Sequence, residues 1–167
     1  GVWTVGCHAE QKDSTYKEDP MRAGTQALDE MRLSDAKASF EQALAAGIQT
    51  PKAKLGLAEV NLRSGRFEDA ERLYREAIDN QVKAGGKGFP EADAMLGLIL
   101  IQTDRWDEGV KHIHPASREN SGYWPAIYGE ARILLRDRKW DEAEKLLRDT
   151  MTVRERMLAL KASYEPA

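Results

Sequence analysis

The chain has 167 residues, 41% hydrophobic and 32% charged, which is the length of one ordinary domain and the composition of a helical protein with a modest core. A net charge of −3 and a pI near 5.7 leave no global basic field for nucleic acid or an acidic membrane surface. No apolar run reaches the ~18–20 residues that a membrane-crossing helix needs.

Residues 1–16 are polar and aperiodic after an apolar start, and read as a tail or linker. Val2-Trp3-Thr4-Val5-Gly6-Cys7, followed by polar His8 to Lys12, resembles the cleavage region of a bacterial lipoprotein signal. The resemblance implies lipidation at Cys7, a membrane tether and the bacterial envelope as location. Thr4-Val5 depart from the usual Leu followed by a small residue, and the basic beginning of a signal is absent. The other reading is an idle or buried thiol in a truncated tail, with a cytoplasmic location. A lone Cys permits no intrachain disulfide in either case. A start at Gly1 and not Met reads as a processed form.

Beyond the tail a five-residue phrase recurs: basic, apolar, polar or acidic, acidic, small. Its copies are Arg32-Leu33-Ser34-Asp35-Ala36, Arg66-Phe67-Glu68-Asp69-Ala70, Arg105-Trp106-Asp107-Glu108-Gly109 and Lys139-Trp140-Asp141-Glu142-Ala143. The small residues fall 34, 39 and 34 residues apart, the period of a stacked array of helix pairs. Four residues after each comes a bulky apolar one, Phe40, Tyr74, Ile113 or Leu147. Ala43, Ala77 and Ala116 follow three further on, and Thr150 is the departure. Such offsets put all of them on one helical stripe. The acids of the phrase lie in the first turn of that helix and complement its dipole.

A second periodic segment precedes each phrase, carried by Leu55, Leu57, Val60 and Leu62, by Leu96, Ile99 and Leu100, and by Ile127, Ala131 and Leu134. Helix pairs are therefore expected over 18–46, 51–80, 90–118 and 124–150. Pro51, Pro90 and Pro125 stand near the starts of first helices, where a missing N–H costs nothing. Lys83 to Gly88 accounts for the longer middle spacing and extends that connection. Met151, Val153, Met157, Leu158 and Leu160 continue the last apolar pattern, so a long final helix should cover the end of the array.

On these residues the chain resembles the tetratricopeptide repeat family, whose unit is a 34-residue helix–turn–helix. Leu57-Ala58, Gly65, Phe67, Ala70, Tyr74 and Ala77 carry the match in the second unit, and Leu96-Gly97, Trp106 and Gly109 in the third. Ala23-Gly24, Ala36, Phe40 and Ala43 carry it in the first, Trp140 and Ala143 in the fourth. The implied fold is an all-α solenoid of about four repeats with a long C-terminal capping helix. The array is expected over 17–162, with units at about 17–50, 51–84, 90–123 and 124–157 and a tail at 163–167. Trp106 and Trp140 are expected to wedge between the two helices of their own unit and the next, so that truncation to Ala costs about 3–5 kcal/mol. Gly109 and Pro115 should weaken the third unit, and Pro115 should kink or end its second helix.

No catalytic constellation is found. His112 and His114 lie two apart on an expected helix and point in different directions, without a third ligand at metal spacing. The Gly85-Gly86-Lys87-Gly88 cluster precedes a helix but lacks phosphate-loop spacing and a leading strand. Neither Gly-x-Ser-x-Gly nor His-Glu-x-x-His is present. No enzyme activity, cofactor or metal site is expected.

The family resemblance implies a groove lined by the first helices, where exposed residues one turn apart meet a peptide or partner helix. Carried onto this register the groove runs through Met21, Thr25 and Leu28, then Leu55, Glu59 and Leu62. It continues through Ala94, Leu98 and Ile101 to Tyr128, Arg132, Leu135 and Arg136. For Leu62, Ile101 and Leu135, helix–helix core is an equal reading. Met21 and Thr25 stand where the carboxylate-clamping residues of chaperone-binding members would be, which disfavours capture of a chaperone tail. The implied function is a non-enzymatic protein–protein scaffold, with a lipid-anchored envelope assembly factor as its sharper form. The alternative is a structural or regulatory domain of a larger protein whose effector or enzyme part is absent.

Overall fold

The computed structural model describes residues 19–120 and 122–164, so Cys7, the expected N-terminal tail and residues 165–167 lie outside the described residues, while 163 and 164 belong to the last helix. Among the described residues there are eight α-helices and no strand. They are α1 Pro20–Asp29, α2 Leu33–Ala45, α3 Thr50–Arg63, α4 Phe67–Lys83, α5 Pro90–Gln102, α6 Trp106–Glu119, α7 Trp124–Arg136 and α8 Trp140–Tyr164. Each odd-numbered helix packs on the next to form a hairpin, and α2, α4 and α6 pack on the first helix of the following unit. This is an α-solenoid, closed at its C-terminal end by the long α8.

Local chemistry sets the helix ends. Pro lies in the first turn of α1, α3, α5 and α7, and Asp19 caps α1 by accepting from the Met21 N–H at 3.0 Å. Every hairpin turns through one left-handed residue: Met31, Gly65, Asp104 or Arg138. The next residue's N–H then reaches back to close the helix, from Arg32 to Ala27, Arg66 to Asn61, Arg105 to Leu100 and Lys139 to Leu134, at 2.8–2.9 Å. Only Gly65 adopts this conformation without steric penalty.

Bulky side chains on the second helices key into glycines on the first. Phe40 of α2 is 2% exposed. A Cβ placed on Gly24 or Gly56 would come within 2.7 or 2.5 Å of its ring. Ile113 of α6 lies in the same way between Gly97 and Gly129. The second unit departs from this scheme. Its bulky residue is Tyr74, and the position on α5 equivalent to Gly56 and Gly129 is Met95. Consistently, α7 packs directly on α5, whereas α3 and α5 make at most a marginal contact. The Ala84–Phe89 connection spans this wider junction, with Gly85 left-handed and the Gly86 N–H closing α4 on Gln81 at 3.0 Å.

Two packing expectations need correction. Trp140 is 59% exposed and so does not wedge between helices; among the described residues no further first helix follows to cover it. Trp106, by contrast, is half-buried against Ile101 of α5, Ile113 of α6 and Ile133 of α7, between its own unit and the next as expected, with arginines of α7 over its ring. Pro115 does not end α6, which runs on to Glu119. Pro115 is exposed, where water can take the place of the missing donor. Gly109 is a packing requirement, because a Cβ there would lie 2.7 Å from Ile101 and 3.0 Å from the Gly97 carbonyl.

Charged residues tie second helices together. Arg105 donates to Glu71 at 2.5 Å, and Arg75 bridges Glu71 at 3.0 Å and Glu108 at 2.6 Å. In the third copy of the recurring phrase, Arg105 and Glu108 therefore grip the preceding unit.

Candidate functional site

The first helices of the first three units frame an open cleft of about 520 Å³ where α3 and α5 stand apart. Met21, Thr25 and Leu28 of α1 form one wall, and Leu55, Gly56 and Glu59 of α3 the floor. Gly88, Phe89, Glu91 and Met95 close the far side with Tyr123. Its lining is mostly apolar around a few polar groups, the composition expected of a recognition site.

Glu59 is the fixed polar point of this cleft. Its carboxylate accepts from the Tyr74 hydroxyl at 3.1 Å and from Arg63 Nε at 2.8 Å. Arg63 also donates to the Leu28 carbonyl at 3.0 Å, joining the first two units. Burial pushes the Tyr74 phenol well above its usual range, with the Glu59 charge adding to it. Tyr123 is pushed up to about 12 by burial and by the charges of Glu59 and Glu91, which line the same cleft.

On α7 the positions in register with Leu55 and Glu59 are Tyr128 and Arg132. Tyr128 and Leu135 are 45% and 41% exposed, and Trp124 stacks on Tyr128 with ring centroids 6.4 Å apart. Arg132 lies over both the Trp106 ring, at 5.6 Å, and the Tyr128 ring, at 6.0 Å. Arg136 lies over Trp106 at 4.8 Å.

Of the residues expected in the groove, Met21, Thr25, Leu28, Leu55 and Glu59 line the cleft together. Tyr128, Arg132, Leu135 and Arg136 group on α7. Leu62 and Leu98 are half-buried, each packed against core. Ala94, 0% exposed, does not line the groove, and Ile101, 2% exposed, follows its alternative reading as helix–helix core. Ala94 is buried with Ala116 and Ala126, and Ile101 with Ile113 and Ile133, because α7 lies directly on this side of α5. Glu91 and Met95 line the cleft in their stead. Sequence reasoning also missed Tyr123. The one available signal was Met95 at a position where two other units have Gly.

The two histidines diverge: His112 Nδ1 meets Asp93 of α5 and His114 Nδ1 meets Glu130 of α7, both at 2.8 Å. Among the described residues no cluster of His, Cys, Asp or Glu could hold a metal ion. No helix searched among them is long and apolar enough to cross a membrane.

Stacked helix hairpins with an open cleft and few polar anchors define an interaction scaffold, a class of fold that is typically non-catalytic. Family models described as tetratricopeptide repeat match residues 21–85 and 131–159, together more than half of the chain. The chain belongs to the tetratricopeptide repeat family. A crystal structure of MamA superposes with a TM-score of 0.60 at 18% identity, covering 87% of this chain and 80% of that one. A second crystal structure of the MamA protein gives 0.59 at 19%, covering 89% and 76%. Comparison with curated proteins yields no match.

Proposed function

We propose that this protein is a scaffold whose first-helix face holds a peptide segment or partner helix. One observation carries the reading: an apolar cleft opens where the inter-helix packing is relaxed at Met95, while the units on either side are closed by glycine. An apolar side chain of the guest would enter between Leu55 and Met95, and Glu59, held by Tyr74 and Arg63, would orient it through a polar contact. The guest would extend over Leu98 toward Tyr128 and Leu135.

The test is selection from a displayed library of random peptides. Selected binders should lose at least tenfold in affinity, ~1.4 kcal/mol, when Leu55→Glu and Met95→Glu are introduced together. Lys37→Glu, on an outer helix, should leave them unchanged. Binders indifferent to the cleft substitutions would place recognition elsewhere.

The tether is a separate proposal, supported by the Gly6-Cys7 motif and the polar stretch after it. Full-length protein expressed in a bacterial host should fractionate with membranes, and Cys7→Ser should release it. Identical fractionation of both proteins would end that proposal.

A further inference from the structure

We infer that Arg132 and Arg136, gathered over Trp106, form an anion-reading subsite and that the partner carries carboxylates beside an apolar or aromatic side chain. This deepens the reading of the first-helix face as the partner surface and rests on it.

The arginines that link units are each matched to an acid: Arg63 to Glu59, Arg75 to Glu71 and Glu108, Arg105 to Glu71. Arg132 and Arg136 are placed differently. Among the described residues neither makes an ion pair with a carboxylate. The one polar contact found for either is from Arg132 Nη1 to Gln102 Oε1, at a long 3.4 Å. What holds them is the indole of Trp106 and, for Arg132, the phenol ring of Tyr128. An aromatic face orients a guanidinium without neutralising it, and the N–H edges stay available for a bidentate acceptor. Two such cations held over one ring repel each other, and a carboxylate arriving between them relieves that repulsion.

The surroundings choose the class of anion. Tyr128, Leu135 and Trp124 expose an apolar strip on the same helix. Tryptophan, tyrosine and arginine together are the residues that carry most binding energy at protein interfaces. A nucleic-acid backbone would need a wider basic field than this chain of net charge −3 offers. The cleft, by contrast, carries charges of both signs, Lys52 along with Glu91 and a Glu59 already paired with Arg63, so the acidic part of the guest belongs at the α7 end.

The experiment measures fluorescence anisotropy of a labelled peptide alternating Asp with Leu, beside a matched peptide alternating Lys with Leu. The acidic peptide should bind at least tenfold tighter, and raising salt from about 50 to 500 mM should erase most of that preference. Arg132→Gln with Arg136→Gln should abolish the preference, and Arg22→Gln with Arg118→Gln should not. The salt series uses the unaltered protein, so it judges the inference even if the double variant unfolds. Equal binding of the two peptides, undiminished acidic binding by a folded double variant, no binding of the acidic peptide, or equal competition by a single-stranded oligonucleotide would each overturn it. The library selection judges the cleft independently: binders lost on the Leu55 and Met95 substitutions would keep the scaffold reading alive even if the acidic preference failed.

Discussion

Phe40 and Gly56 show how closely single residues set this array. The ring fills the space that a Cβ at residue 56 would occupy, and the same geometry recurs with Ile113 against Gly97 and Gly129. Alanine at 56 would gain about 1 kcal/mol of helix preference. Overpacking a filled core costs about 1–3 kcal/mol. Gly56→Ala should therefore be net destabilising in urea unfolding, and Phe40→Leu in the same chain should recover part of the loss through the space it frees. Additive losses would show that the ring and the glycine do not share that space. The glycine-to-bulky spacing is present in the amino-acid order, but its meaning appears only when the helices cross.

Helices occupy the spans that periodicity and phrase predict, because a stripe of apolar residues with Pro at its head and acids in the following helix specifies a helix locally. Burial of the aromatic at the start of each second helix was not legible in this way. Phe67 and Trp140 are 53% and 59% exposed, while Trp106 lies beneath Arg132 and Arg136. The phrase is the same, so the difference lies in what the next first helix brings over it. Trp140→Ala should accordingly change stability by no more than about 0.5 kcal/mol. Trp106→Ala should cost about 1–3 kcal/mol in lost burial and cation–π contact. Equal melting temperatures of the two variants would refute this assignment.

Across the whole molecule the second and third units are joined by charge more than by close packing of their first helices. Arg105 is the main cause holding the Glu71 carboxyl below its usual value near 4.5, with Arg75 assisting, and Lys54 is the main cause doing the same for Glu76. A depressed carboxylate contributes stability that is fully present above the ordinary value and is lost as pH falls through the depressed one. Thermal stability should thus decline on acidification below about pH 4.5, and Glu71→Gln should flatten that decline. An unchanged acid slope in the variant would remove the network from the account. High salt should have the smaller effect, since Glu71 is only 18% exposed.

The order of residues by itself determined that this is an array of helix hairpins: its period, its stripes and its caps are local properties that survive without knowledge of neighbours. Half of the candidate face was equally legible, because Leu55, Glu59, Tyr128 and Arg132 sit on the outward stripe of their own helices. Tertiary structure alone decided the rest. Ala94 and Ile101 carry the same register as Leu55 and Leu62, yet α7 lies down on them and removes them from solvent. The cleft between the first helices opens where Met95 takes the place of glycine beside a lengthened connection. Which side chains a surface offers depends on how near the next unit comes, and that distance is set by contacts between residues far apart in the chain.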